Sequence, residues 1–130
     1  MKKRALVTGS SRGIGRVLAL SLAKDGYEVI VHCAGNVAKA EEVVEAIKEL
    51  GGKASTIKAD LCDMDNAKQL AKEMGTIDVL VLNASVQYRN IWTNITLEEC
   101  YNKLNCNFVA SMLLIQAVVE IKTPICICVL

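Results

Sequence analysis

Eight residues restrict the fold more than any others: Thr8-Gly9-Ser10-Ser11-Arg12-Gly13-Ile14-Gly15. Before them, Ala5-Leu6-Val7-Thr8 is a short apolar run that reads as a buried strand. After them, Ile14, Val17, Leu18, Ser21 and Leu22 recur at helical spacing, and Gly26 ends the helix. A strand that passes into a helix through glycines is the first unit of an α/β layer. Glycine has no Cβ, so the backbone can turn sharply and a phosphate can come close. A helix N-terminus adds unpaired N–H groups and positive potential, which suit a pyrophosphate. The spacing is Gly-x-x-x-Gly-x-Gly rather than the commoner Gly-x-Gly-x-x-Gly. A turn that needs glycine and binds nothing is the alternative. The flanking strand and helix favour the phosphate site.

The strand–helix alternation continues. Residues 28–33 form a Val/Ile-rich strand of the kind buried on both faces of a parallel sheet. Ala40, Val43, Val44, Ile47 and Leu50 mark one face of a second helix, closed by Gly51-Gly52. A third strand is expected over 54–59, a short helix over 66–74, and a fourth strand over 78–82. Thr96-Leu97-Glu98-Glu99 has capping-box spacing and opens a helix running to about residue 120. Residues 125–130 form a fifth strand. The pattern predicts an α/β fold, a doubly wound parallel sheet of order 3-2-1-4-5, in one domain over 1–130. Ligands on such sheets bind at the carboxyl ends of the strands, where the strand order reverses.

Composition narrows the partners. Fifteen Lys and Arg against 14 Asp and Glu give a net charge of +1, with no long-range pull on nucleic acid or an anionic membrane. Neither partner is expected. The apolar run near the N-terminus is too short for a signal peptide, and the stretch 108–119 is too short to span a bilayer. Cysteines at 33, 62, 100, 106, 126 and 128 have no C-x-x-C spacing, and the chain has one His. They read as reduced core residues of a cytoplasmic protein, with no metal site expected. His32 reads as packing at a strand end.

At this point the chain resembles the short-chain dehydrogenases/reductases. Residues 8–15 match each fixed position of that family's Thr-Gly-x-x-x-Gly-x-Gly signature. Asp60-Leu61 is similar to its adenine-binding pair. Asn83-Ala84-Ser85 is similar to its Asn-Ala-Gly motif, with Ser85 in place of the last Gly. Asn105 resembles the helix Asn of the family's proton relay. The resemblance covers nearly the whole chain and implies a Rossmann-type fold. It implies a nicotinamide dinucleotide held by Gly9, Ser11, Arg12, Gly13, Ile14, Gly15, Asp60, Leu61, Asn83 and Ala84. It also implies a small carbonyl or alcohol substrate, with Asn105 as the catalytic-relay residue. From the residues alone, Asp60 could equally cap the following helix. Asn83 could bond neighbouring backbone, and Asn105 could be a polar residue tolerated beside Asn102 and Asn107.

An acidic residue about 20 positions past the loop would bind the ribose 2′-OH of NAD and repel a 2′-phosphate. The second strand ends His32-Cys33-Ala34-Gly35-Asn36 without one, and Arg12 offers a positive fork. NADP is therefore expected over NAD. The family's acid/base Tyr is followed four residues later by Lys, but Tyr27, Tyr88 and Tyr101 are followed by Val31, Trp92 and Asn105. The chain reads as the amino-terminal part of an NADP-dependent oxidoreductase, cut short before its Ser and Tyr-x-x-x-Lys. A non-catalytic dinucleotide-binding module and an inactive gene fragment are the alternatives. The tail, 122–130, departs from the family's usual approach to the fifth strand. Phe108, Met112, Leu113, Ile115 and Val119 lie on a helix face that would be left uncovered unless a second copy pairs through 97–120.

Overall fold

Alternation along the strands sends apolar side chains to both faces of one sheet. Leu6, Ile30, Leu80 and Leu82 point to one side; Val7, Val29, Val31 and Val81 point to the other. Side chains on successive strand residues project oppositely, so a run of Val, Ile and Leu needs cover on both faces. The computed structural model describes residues 2–121 and 124–130. Met1 lies outside the described residues, as do Lys122 and Thr123 of the unusual tail.

The strands are β1 (Arg4–Val7), β2 (Glu28–Cys33), β3 (Ala54–Lys58), β4 (Val79–Leu82) and β5 (Cys126–Val129). All pair in parallel, in the order β3-β2-β1-β4-β5. Helices α1 (Gly13–Lys24) and α2 (Val37–Glu49) cover one face through Ala19, Ala23, Ala40, Val43, Val44 and Ile47. Helix α3 (Met64–Glu73) covers the other, together with a π-helical turn (Asn105–Val109) and α5 (Ala110–Ile121), while α4 (Leu97–Leu104), which leads into that turn, buries no residue. Ala67, Leu70, Met74, Ala110, Leu114 and Val118 pack there, each at most 1% exposed. The expected fold and strand order are therefore observed. The chain leaves β1 towards β2 and returns past it to β4, so the order reverses beside β1.

Four local expectations differ from the structure. In α1 the buried residues are Gly15, Ala19 and Ala23, while Ile14 and Val17 are exposed. The helix lies so close to the sheet that only small side chains fit beneath it. The long helix is not uniformly α: the π turn interrupts it at residue 105, a feature often found where a helix serves a site. The cysteines divide, with Cys33 and Cys106 buried, Cys62 half-buried, Cys100 exposed on α4, and Cys126 and Cys128 exposed because β5 is an edge strand. All six are free thiols. Finally, Leu97–Ile121 is 25 residues long and apolar enough, by length and composition, to cross a bilayer. The shorter stretch considered above understated it. Its Ala110, Leu114 and Val118 side is nevertheless packed into the core.

Caps behave as the residue types require. Thr96 and Glu99 form both halves of a capping box. Asp63 Oδ1 accepts from the N–H groups of Asp65 and Asn66. Asp63, not Asp60, is thus the cap of α3, worth about 1 kcal/mol.

Candidate functional site

Three sets of hydrogen bonds hold the loop between β1 and α1. Towards β4, the Thr8 N–H donates to Val81 O at 2.9 Å, and Thr8 Oγ1 accepts from the N–H groups of Asn83 and Ala84, each at 3.0 Å. The Asn83 side-chain amide donates back to Thr8 O and Gly9 O, both at 3.1 Å. Towards β2, Ser10 Oγ accepts from the His32 N–H at 3.0 Å, while its own proton is donated back to Val7 O of β1 at 2.7 Å. The Ser10 N–H donates to His32 O at 3.0 Å. The third link is the His32 ring. Nδ1 accepts from the Gly9 N–H at 2.8 Å, and Nε2 lies 2.8 Å from Ala59 O. One imidazole therefore joins the loop to the end of β3. Burial lowers the His32 pKa, outweighing the Ala59 carbonyl, which raises it.

Glycine is needed at two of these positions for different reasons. Gly9 has φ +64°, and a Cβ there would stand 2.9 Å from Ala84 Cα. Gly15 lies beneath the loop, where a Cβ would collide with Gly9 O and stand 2.6 Å from Asn83 Nδ2. The two glycines bring β1, α1 and β4 together at the backbone. Helix α1 then begins without a side-chain cap: Arg12 is its extended N-cap residue and supplies no capping hydrogen bond. Gly13 and Ile14, which open the helix, line the cavity that the loop borders, and an unpaired helix start suits an anion.

That cavity, of about 550 Å³, lies across the carboxyl ends of β1 to β4. Such a volume is in the range of small-molecule sites. Gly9, Ser11, Arg12, Gly13, Ile14, Asp60, Leu61, Asn83 and Ala84 all line it. Gly15 and Asn105 do not. Gly15 supports the loop from below. The Asn105 amide, on the π turn, donates to Cys62 O at 3.2 Å. Asp60 is exposed on the cavity rim, and its Oδ1 accepts from the Cys62 N–H at 3.0 Å.

Several lining or supporting residues escaped the sequence reading. Lys39, on the first turn of α2, reaches the same cavity as Arg12, and no carboxylate stands among residues 32–36 beside it. Its i+3 spacing from Asn36, the N-cap of α2, was available as a signal. Asn107 accepts from the Val86 N–H at 2.9 Å and donates to Val86 O at 3.1 Å, and Asn102 donates to Tyr88 Oη. Asn102, Asn105 and Asn107 thus each tie the long helix to a loop at the cavity. Cys62 and Cys106 also line it, and burial, with the Cys62 thiol beside it, pushes Cys106 up to about 12. Among the described residues there is no group of three or more His, Cys, Asp or Glu that could hold a metal ion.

Comparison with known proteins agrees with this geometry. Residues 3–123 match the family model for short chain dehydrogenase. A 3-oxoacyl-[acyl-carrier-protein] reductase FabG of Staphylococcus aureus is 44% identical over 111 residues, covering 82% of this chain and 45% of that protein. A short chain dehydrogenase from Burkholderia cenocepacia, solved in complex with NADP, superposes with a TM-score of 0.83 at 36% identity, over 91% of this chain and 50% of that one. The promiscuous reductase LugOII, which catalyses a keto-reduction in lugdunomycin biosynthesis, gives a TM-score of 0.81 at 38% identity, over 92% of this chain and 52% of that one. The chain spans about half the length of the relatives it matches.

Proposed function

The chain belongs to the short-chain dehydrogenase family, and we propose that its 130 residues form the cofactor-holding part, residues 1–130, of an NADP-dependent oxidoreductase acting on a carbonyl or alcohol. The observation that carries this reading is the glycine loop held open over the cavity, with backbone alone at the closest approach. In the fit to a dinucleotide, the loop and the first turn of α1 take the pyrophosphate. Asp60 and Leu61 take the adenine, and Asn83 and Ala84 line the path towards the nicotinamide. Arg12 and Lys39 supply positive charge for a 2′-phosphate, with no neighbouring carboxylate on β2 to oppose it. When bound, the cofactor supplies or accepts hydride. The NADP and keto-reduction chemistry of the matched proteins supports this assignment.

Asn105 is assigned the relay position. It also holds Cys62 O, so the turn after β3 and the π turn keep a fixed spacing. No Tyr in these 130 residues has a Lys four positions later. A second reading is that these residues bind dinucleotide without turning over a carbonyl, as a binding module or an inactive gene product. Titration separates the readings from a chain that binds nothing. NADPH should bind more tightly than NADH, and Arg12→Ala should weaken NADPH roughly tenfold or more while sparing NADH, because a charge-assisted phosphate contact is worth about 1.5–3 kcal/mol. Lys39→Ala should act in the same direction. Equal affinities for the two cofactors, unchanged in Arg12→Ala, would overturn the NADP assignment. Turnover of a carbonyl in the same cuvette would decide against the binding-only reading.

The long helix belongs to the same proposal. Leu97, Tyr101, Leu104, Phe108, Met112 and Val119 are all exposed and follow helical spacing along it. A stripe of this kind marks an association surface, and we assign it to pairing with a second copy of the chain in the cytoplasm. Phe108→Glu should convert a dimer to a monomer in sedimentation. A wild-type chain that sediments as a monomer would remove this assignment.

A further inference from the structure

We propose that His32 is an acid-sensitive latch on the glycine loop, a positioning residue that must be neutral for Gly9 to keep its place. The argument is geometric. Nδ1 accepts from the Gly9 N–H while Nε2 faces a carbonyl, Ala59 O, which can only accept. Only the neutral tautomer protonated at Nε2 satisfies both contacts. A proton added to Nδ1 sets two donors against each other at 2.8 Å. Gly9 must then move, and its carbonyl carries one end of the Asn83 clamp.

His32 is 2% exposed, so the imidazolium would also be without water. The ionisable groups on the elements around it do not compensate. Arg12 and Arg16 lie at the start of α1, Lys39 and Glu41 on α2, and Lys58 at the end of β3. Asp60 and Cys62 follow β3, Cys33 is next on β2, and Cys106 is on the π turn. Among the described residues none makes an ion pair or hydrogen bond with the ring. Burial accordingly lowers its pKa. The unfolded chain protonates His32 near the ordinary value of about 6.5. The contribution of the latch is therefore complete above that pH and is lost as pH falls through the lower folded value.

The consequence for ligand binding rests on reading the cavity as a dinucleotide site, so the test has one arm that does not. In the ligand-free chain, ring ¹⁵N shifts should show His32 protonated at Nε2 alone at pH 7.5. On acidification, the Gly9 amide should lose its exchange protection with the same midpoint as His32 protonation. Gly9 protection that survives His32 protonation would overturn the latch, as would global unfolding before His32 titrates.

In the second arm, NADPH dissociation constants are measured from pH 7.5 to pH 5. Each pH unit below the His32 midpoint should weaken binding by up to about tenfold. His32→Asn keeps an acceptor at the Nδ1 position without a titrating group. It should bind NADPH at pH 7.5 and retain only the pH dependence of the ligand's own phosphate. His32→Gln, which places its amide nearer Ala59 than Gly9, should bind poorly at every pH. An Asn variant with the full wild-type pH dependence would refute the proposal. Failure of the wild-type chain to bind NADPH at pH 7.5 would instead strike the cofactor reading, and the amide arm would still decide the latch.

Discussion

Gly15→Val is expected to abolish dinucleotide binding and to lower stability by about 3 kcal/mol, the upper end of the usual cost of overpacking a close-fitting site. The Cβ alone would overlap Gly9 O and stand 2.6 Å from the Asn83 amide nitrogen, 2.9 Å from Ser10 Cα. Neither the loop carbonyl nor the clamp can yield without releasing the other, because Asn83 Nδ2 is bonded to Gly9 O. Gly13→Ala is the comparison. Its Cβ meets nothing within 4 Å, although φ is +59°. That substitution should cost only about 1–2 kcal/mol of backbone strain and leave the Asn83 clamp on the loop intact. Urea denaturation and NADPH titration of both variants check the pair. A Gly15→Val protein that binds as tightly as the parent would show that the close approach beneath the loop is unnecessary.

Thr8→Val should be nearly as severe, although the two side chains have the same shape. Thr8 is 1% exposed, and its Oγ1 is the acceptor for two N–H groups, those of Asn83 and Ala84. Valine leaves both without that acceptor. At roughly 1–3 kcal/mol for each unsatisfied donor, the loss should come to about 2–6 kcal/mol. Since those N–H groups open the segment that clamps the glycine loop, NADPH affinity should fall with stability. Thr8→Ser restores the oxygen and omits one methyl. It should recover all but about 1 kcal/mol, as denaturation midpoints will show. Equal losses in Val and Ser would mean that methyl packing, rather than the hydroxyl, holds the two strands together.

The features that were legible in advance depend on short-range rules. Glycines between a strand and a helix marked the loop, and Thr96 with Glu99 marked a capping box. Unbroken Val and Ile in β2 required cover on both faces. The misjudged features depend on distances between elements. Helical spacing made Ile14 and Val17 look like a core face, but α1 approaches the sheet through Gly15, Ala19 and Ala23 and leaves both exposed. Apolar surroundings made Cys126 and Cys128 look like core residues, but the strand that carries them is at the sheet edge. Asp60 and Asp63 are equally good caps by type, and only the position where the α3 backbone begins to wind distinguishes them.

What the sequence by itself determined is the parallel α/β layer and a glycine loop that joins its first strand to its first helix. Both follow from which dihedral angles a glycine can adopt and from unbroken apolar strands that must be covered on both faces. The contacts that make the loop a site were decided by tertiary structure. Thr8 meets Ala84 across 76 positions, Asn105 meets Cys62 across 43, and Gly9 meets the His32 ring across 23. Hydrogen bonds act over about 3 Å, so no spacing along the chain could reveal which of these polar groups the packed sheet and helices would bring within reach.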